Sequence, residues 1–370
     1  MLMLQSWVAQ EKFRDKKAFA AESRNDVFAS CCHDVLRRPL PLLASDQLKT
    51  DTGVYSTHNK KIGKHLMQAL VASLVLPSDS ALRKIDLSEN QMDDACAPEL
   101  SALLEGRKEI TTLWLRGNHF SSAFCKVMSG GSSSSYCLTD VDLSSNPLGD
   151  SGLKHIAVLL DKCPDLSSLS LSRCKLHVLS PLDKVLASSS LTSLDLSWNL
   201  MSVRSSVAFT ALLRSNTSLT SLNCAWNHFG GGKGQICGAL AHMLEHNSTL
   251  HVLDLSNNGI GEQDAFILSE AVFVNKGLRQ LILNGNSIGV TGGQNMFGVM
   301  DRKGFDVFNV ALHGCNMEQH DASMTFDPAL PEGHHRLELA QPYQRAIAMS
   351  LYRKCCESGP DIENWKVGDV

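Results

Sequence analysis

Acidic side chains recur at one position of a repeated phrase, and they are the residues of this chain best suited to chemistry. Asp86, Asp142, Asp195 and Asp254 each precede Leu-Ser in phrases of the form x-Asp-Leu-Ser. Two neighbouring carboxylates can act as a general acid and a general base. The surrounding sequence predicts no cleft that would exclude water from them, which such catalysis usually needs. Two interpretations stay open: recognition of a basic partner, or an ordinary solvated face.

Other reactive groups lack the spacing of a catalytic or metal site. Cys31-Cys32 and Cys355-Cys356 are adjacent pairs without further ligands nearby in the sequence. The glycine cluster at 230–235 contains a lysine that no Ser or Thr follows, so it does not match a phosphate-binding loop. The chain also lacks the H-E-x-x-H, G-x-S-x-G and C-x-x-C patterns. We therefore expect a protein that is not an enzyme and that needs no cofactor and no metal.

The composition is that of a globular protein, with 43% hydrophobic and 19% charged residues in a chain of 370. The formal net charge of −4 is too small to predict a nucleic-acid partner. No apolar run has membrane-spanning length, so we expect no membrane partner. The 12 cysteines are spread along a long chain. This distribution indicates reduced thiols and predicts a cytoplasmic protein.

A repeated phrase, L-x-x-L-x-L-x-x-N-x-L, organises the middle of the chain, and the aspartates occupy its fifth position. Its fourth and sixth positions are apolar and two residues apart, so both side chains point to one face of a short strand. The ninth position is Asn or Cys, and Asn there can satisfy backbone groups where the chain turns out of the strand. Nine in-phase copies, most of them 28 residues apart, begin at Leu82, Ile110, Leu138, Leu166, Leu191, Leu219, Leu250, Leu278 and Val307.

This phrase and its period resemble the leucine-rich repeat. Repeats of about 28 residues with a full helix resemble the ribonuclease-inhibitor-like subclass, which also includes Ran GTPase-activating proteins and the sensor arms of NOD-like receptors. The resemblance covers about residues 60–318. It implies an α/β solenoid, a horseshoe with parallel β-strands on its concave face and helices on its convex face. Residues 149–163 and 262–276 support the helices, because their apolar residues recur at helical spacing.

The sequence divides into three segments, because the ends of a solenoid need caps. We predict a helical N-terminal flank or cap at 1–50 and a repeat domain at 51–318, which begins with a degenerate repeat whose helix is 62–74. Residues 319–370 are expected to form a C-terminal cap or a docking segment. Within 326–345, the phrases F-D-P, P-E-G and P-Y-Q-R resemble tails that follow such repeats in proteins of flagellated protists. That resemblance implies a cytoskeletal or flagellar setting.

Three tryptophans lie on the predicted concave face, where we expect positions three, five, seven and eight to point outward. Trp198 and Trp226 occupy position eight of adjacent repeats, so their rings should lie side by side, because parallel strands are about 5 Å apart. Trp114 occupies position five. Tryptophan is enriched at interface hot spots, although packing of the rings on the surface is the alternative. The predicted partner-binding residues are Trp114, Arg116, Asp142, Asp195, Trp198, Trp226 and Asp254.

Together these features favour a non-catalytic protein–protein interaction scaffold whose concave face binds a partner with a basic surface. The family resemblance keeps two alternatives open. One is a GTPase-activating protein of the Ran-directed type, for which Arg116 is the candidate arginine. The other is a ribonuclease-inhibitor-like or innate-immune sensor module.

Overall fold

The computed structural model places the repeats in two compact units, the first within residues 1–176 and the second within residues 177–370. The predicted N-terminal cap at 1–50, the helix at 62–74 and the C-terminal segment at 319–370 lie outside the residues that the structure describes. The described residues are 53–59, 82–130, 135–179, 181–187, 190–232, 234–304 and 307–315.

Five short parallel strands form the sheet of the first unit, and each pairs with the next along the chain. The residue at the centre of each strand is buried, while its neighbours are partly or largely exposed. In β1, which belongs to the degenerate repeat, the buried centre is Tyr55 instead of an aliphatic residue. The strands are β1 (Val54–Ser56), β2 (Lys84–Asp86), β3 (Thr112–Trp114), β4 (Asp140–Asp142) and β5 (Ser168–Ser170).

Three helices of the first unit follow β2, β3 and β4, and a short 3-10 turn at Asp94–Cys96 precedes the first of them. The third helix buries the apolar residues whose spacing predicted it, including Leu153 and Ile156. The helices are α1 (Ala97–Gly106), α2 (Ser122–Ser129) and α3 (Gly149–Leu160).

The second unit repeats this arrangement with five more parallel strands. Strands β6 to β10 follow one another in sheet order, with position four of each strand in register with position four of the next. The strands are β6 (Ser193–Asp195), β7 (Ser221–Asn223), β8 (Val252–Asp254), β9 (Gln280–Ile282) and β10 (Asn309–Ala311).

The described residues of the second unit form five helices. The glycine cluster in the sixth repeat forms a 3-10 turn at Phe229–Gly232 and then starts a helix after Gly234, which has φ 79°. The predicted apolar positions of the segment 262–276 are buried, as in Ala265 and Leu268. The helices are α4 (Leu182–Ala187), α5 (Val203–Leu213), α6 (Gln235–His246), α7 (Glu262–Val274) and α8 (Gly289–Lys303).

Buried asparagines at position nine satisfy backbone groups where the chain leaves the strand, as the sequence predicts, and they also link neighbouring repeats. The side-chain oxygen of Asn118 accepts the backbone N–H groups of Asn90 and Met92, at 3.1 and 3.0 Å. Its side-chain nitrogen donates to the carbonyls of Leu87 and Leu115, at 3.0 and 2.8 Å. Each such bond contributes about 1 kcal/mol net, and an unmet buried group would cost more. In the repeats that carry it, asparagine therefore closes the turn that leaves the strand.

Candidate protein-binding surface on the strand face

The side of each sheet that carries positions three and five is called the strand face here. These two positions flank the buried position four, so their side chains point away from the core. In β6, for example, Ser193 and Asp195 are half-buried while Leu194 is 1% exposed. Trp114, Asp142, Asp195 and Asp254 of the predicted binding residues occupy position five and lie on the strand face. Trp198 and Trp226 occupy position eight, just after strands β6 and β7, and we count them with the strand face.

The aspartates at position five are hydrogen-bonded to the backbone of their own repeat. Asp195 accepts the N–H of Ser197 at 2.8 Å, and Asp254 accepts the N–H and the hydroxyl of Ser256 at 2.8 and 2.6 Å. Asn223 accepts the N–H two residues later in the same way, at 3.0 Å. One oxygen of each aspartate therefore supports the turn, and an amide can do the same. Asp86 and Asp142 make the same bond, with the N–H groups of Ser88 and Ser144.

Position seven does not face outward in most repeats, which corrects the sequence prediction. In five repeats the residue at this position is buried, and only small side chains occur there: Ser88, Ser144, Ser197, Ala225 and Ser256. The chain has already begun to turn inward after position six, so a side chain at position seven packs under the turn. Arg116 is an exception, because its side chain is 57% exposed.

Trp114 of the first unit contacts two side chains of the neighbouring repeats. The Lys84 ammonium lies 2.9 Å from the centroid of the Trp114 ring, in a cation–π contact. The ring N–H donates to Oδ2 of Asp140 at 3.0 Å. Lys84 and Asp140 both occupy position three, on the strands either side of Trp114. Lys84 was missed by the sequence reasoning, although its position in the repeat was the available signal.

Arg116 and Asp142 lie near this cluster in the repeat but make different contacts. The Arg116 guanidinium is 4.0 Å from a carboxylate oxygen of Glu89, and both side chains are exposed. Exposed pairs of this kind contribute little to stability. Asp142 is the strand partner of Trp114 in β4.

Trp198 and Trp226 in the second unit stack on each other, as their spacing predicts. Their ring centroids are 4.1 Å apart, the ring planes differ by 15°, and each side chain is 42% exposed. They are therefore surface residues and not part of the core. Such a pair contributes about 0.5–1.5 kcal/mol beyond its buried area.

The backbone at position eight is left-handed, which the sequence reasoning did not anticipate. Trp198 has φ 57° and Trp226 has φ 60°, and the other seven template repeats also have positive φ at this position. Glycine occupies the position at Gly117, Gly285 and Gly314. A bulky residue in this conformation costs roughly 1–2 kcal/mol. The fold thus favours glycine, and it gives no reason for two adjacent tryptophans.

The described cysteines act as small apolar groups. Burial raises the pKa of Cys125 and of Cys163 to about 12, so both thiols stay protonated at neutral pH. Cys174 and Cys315 replace asparagine at position nine and donate to the carbonyls of Leu143 and Leu283, at 3.3 and 3.1 Å. The pairs Cys31-Cys32 and Cys355-Cys356 lie outside the described residues.

No described helix is long and apolar enough to cross a bilayer.

A family model described as Leucine Rich repeat matches residues 135–157, 187–201 and 246–265. Tonsoku-like protein of Mus musculus is 39% identical over 114 residues, which is 30% of this chain and 8% of that protein. NACHT, LRR and PYD domains-containing protein 3 of Homo sapiens is 29% identical over 267 residues, which is 70% of this chain and 23% of that protein. Ribonuclease inhibitor of Sus scrofa is 26% identical over 242 residues, which is 65% of this chain and 47% of that protein. The chain thus spans less than half the length of each of these relatives.

The parallel strands, the ladder of position-nine residues and the helices that follow strands β2 to β9 define a leucine-rich repeat solenoid. The chain is a leucine-rich repeat protein of the ribonuclease-inhibitor-like type. Proteins of this family generally act in protein–protein interaction.

Proposed function

We propose that this chain is a non-catalytic protein-binding module and that the strand face of its second unit binds the basic surface of a protein partner. The observation that carries the proposal is the stacked pair Trp198–Trp226. Both rings are 42% exposed, and both stand at a position whose left-handed backbone favours glycine. Residues held in unfavourable conformations are concentrated at functional sites.

The charge of the same face supports a basic partner. Asp195 and Asp254 occupy position five of β6 and β8, and Asn223 lies between them on β7. Positions three and five of the strands β6 to β10 contain no Lys and no Arg. Complementary charge speeds association and selects the partner.

The tryptophans would supply most of the binding energy. Truncation of a hot-spot tryptophan typically costs about 2 kcal/mol or more of binding free energy. The aspartates would contribute less to affinity and more to the association rate, because they are only half-buried and screened by water. Binding should accordingly weaken with salt.

Residues of the first unit take a smaller part in this proposal. Arg116 and Asp142 are candidates for polar contacts with a partner. Trp114 should contribute less than the tryptophan pair, because Lys84 and Asp140 already contact its ring. A cytoskeletal or flagellar setting is a further hypothesis, which depends on the tail at 326–345, outside the described residues.

Inhibition of a ribonuclease is a second candidate function. It is favoured by the alignment of 242 residues with the ribonuclease inhibitor of Sus scrofa. The direct test adds the purified chain to a ribonuclease and follows RNA cleavage. If a large molar excess of the chain does not slow RNA cleavage, this candidate function is excluded.

A GTPase-activating role of Arg116 is tested in the same manner. GTP hydrolysis by a GTPase is measured with the wild type and with the Arg116→Ala variant.

The main test compares partner capture by three proteins at equal concentration. The first is the wild type, and the second is the double variant Trp198→Gly, Trp226→Gly, which removes both rings and keeps a residue suited to the left-handed backbone. The third is Phe266→Ala, which removes an aromatic ring that is 51% exposed on α7, away from the strand face. Circular dichroism must show the same fold in all three.

We expect the Phe266→Ala variant to keep the partners of the wild type and the double glycine variant to lose one with a basic surface. The captured protein is then purified and titrated against Asp195→Asn, Asp254→Asn. This variant removes two charges while keeping the hydrogen bonds that Asn223 makes naturally. Its binding should weaken and lose part of its salt dependence. Equal capture by the wild type and the double glycine variant would refute the proposal.

A further inference from the structure

We propose that helix α6 carries a surface site for a transition-metal ion, formed by His242, Glu245 and His246. Each residue offers one ligand atom, and the three atoms lie within 4.8 Å of one another. All three side chains are exposed, so an ion could reach them directly. This site lies outside the strand face and is independent of the proposed protein-binding function.

The helix itself places the ligands together. Residues four apart lie on the same face of a helix, and so do residues three apart. The rings of His242 and His246 are 4.6 Å apart between centroids. Glu245 is 3.4 Å from the Nδ1 atom of His242. Two imidazoles and one carboxylate suit Zn²⁺, Cu²⁺ or Ni²⁺, whereas Mg²⁺ and Ca²⁺ prefer oxygen ligands.

The position of the site along the helix also favours a cation. His246 is the last residue of α6. Backbone carbonyls at a helix C-terminus carry partial negative charge, which stabilises a bound cation. The remaining coordination positions would be filled by water.

Existing hydrogen bonds show which nitrogen atoms are available. Nδ1 of His246 lies 2.8 Å from the carbonyl oxygen of His242, to which it donates as N–H. In the neutral ring, Nε2 of His246 then carries the lone pair that a metal needs. Nε2 of His242 accepts from the Arg214 guanidinium at 3.1 Å, which makes Nδ1 the donor to Glu245.

Arg214, the C-cap residue of α5, therefore competes with the metal for His242. Its guanidinium is permanently charged, so it occupies the lone pair of Nε2 and also repels a cation. Removing this charge should release the ligand without changing the three metal-binding residues. The variant Arg214→Gln is therefore expected to bind the metal more tightly than the wild type.

The search for H-E-x-x-H in the sequence missed this cluster, because the order here is H-x-x-E-H. In this inverted order the two histidines still fall on one helical face, and the same order occurs in one class of zinc enzymes. The signal available in the sequence was the spacing of His242 and His246, which are four residues apart.

The experiment titrates Zn²⁺ into the full, reduced chain and reads out each histidine separately. Diethyl pyrocarbonate modifies accessible imidazoles, and peptide mass spectrometry then measures the modification of every histidine with and without Zn²⁺. We expect Zn²⁺ to protect His242 and His246 while His119, an exposed histidine outside the cluster, stays reactive. Magnesium at the same concentration should protect none of them.

Four variants complete the test with calorimetric titration of Zn²⁺. His242→Ala and His246→Ala should each lower the affinity of this site at least about 10-fold, because even outer-shell changes cost that much. Arg214→Gln should raise the affinity, and His119→Ala should leave it unchanged. If Zn²⁺ protects neither histidine, or if the cluster variants bind it as the wild type does, the ion binds elsewhere, for instance at cysteines, and the proposal is wrong.

Discussion

Trp114 in the first unit and the pair Trp198–Trp226 in the second stand at different positions of the same repeat. Trp114 is on a strand, where Lys84 covers its ring and Asp140 accepts its N–H. The pair stands just after the strand, where the backbone is left-handed and the rings stack on each other. The chain therefore uses Trp114 to join three of its own strands, whereas the pair costs backbone strain and exposes two rings.

This difference indicates that a tryptophan on a strand face is not by itself a binding site. The informative observation is how much of the ring's interaction capacity is met within the chain. A cation above the ring and an acceptor for its N–H meet most of that capacity at Trp114. Both rings of the pair are 42% exposed, which makes the pair the better candidate for an anchor.

The largest expected effect tests the boundary between the strand face and the core. Leu196 is fully buried, while its neighbour Asp195 is half-buried on the strand face. Leu196→Asp should lower the free energy of unfolding by about 4 kcal/mol or more, because it buries an unpaired charge. Urea denaturation followed by circular dichroism measures this, with Asp195→Asn as the control. If Leu196→Asp unfolds at the same urea concentration as the wild type, the assignment of residues to the core and to the strand face is wrong.

The next effect tests the internal role of Trp114. Trp114→Ala removes a cation–π contact and a hydrogen bond and should cost about 2 kcal/mol of unfolding free energy. Trp114→Phe keeps an aromatic ring beneath Lys84 and should cost about 1 kcal/mol, from the lost bond to Asp140. Both values come from chemical denaturation. If Trp114→Ala were no more damaging than Trp226→Ala, the contrast between the two regions would fail.

A smaller effect separates the structural role of the position-five aspartates from their charge. Asp195→Ala removes the acceptor for the Ser197 N–H and should cost about 1 kcal/mol of unfolding free energy. Asp195→Asn keeps an acceptor, as Asn223 does, and should change stability little. Thermal and urea unfolding of the two variants decide the matter. If both variants lose the same amount of unfolding free energy, the charge of Asp195 itself stabilises the fold.

The smallest effect, and the most specific one, concerns the left-handed position. Trp198→Gly loses stacking worth about 0.5–1.5 kcal/mol but relieves strain of about 1–2 kcal/mol. Since glycine also increases the entropy of the unfolded chain, the net change should stay within about 1 kcal/mol. Trp198→Ala keeps the strain and should be the less stable of the two. The opposite order would mean that the strain at position eight is negligible.

Much of the fold was predictable because the repeat makes local patterns unambiguous. The burial of Leu194 and Leu196 follows from their alternation in the phrase, and the role of Asn118 follows from a polar residue at a buried turn. The site was less predictable. Ser197 and its equivalents are small and polar, and such residues are typical of both exposed loops and tight buried turns. The prediction that position seven faces outward was therefore wrong for most repeats.

The amino-acid sequence by itself determined the leucine-rich repeat, its parallel strands, its apolar positions and the adjacency of Trp198 and Trp226. A period of two within each strand and a period of about 28 between strands are sufficient for these conclusions. Only the tertiary structure decided the sign of φ at position eight, the cation above Trp114 and the grouping of His242, Glu245 and His246 with Arg214. The first feature is a backbone torsion. The other two depend on side-chain rotamers and join residues of neighbouring repeats, whose atoms meet only after the chain has folded.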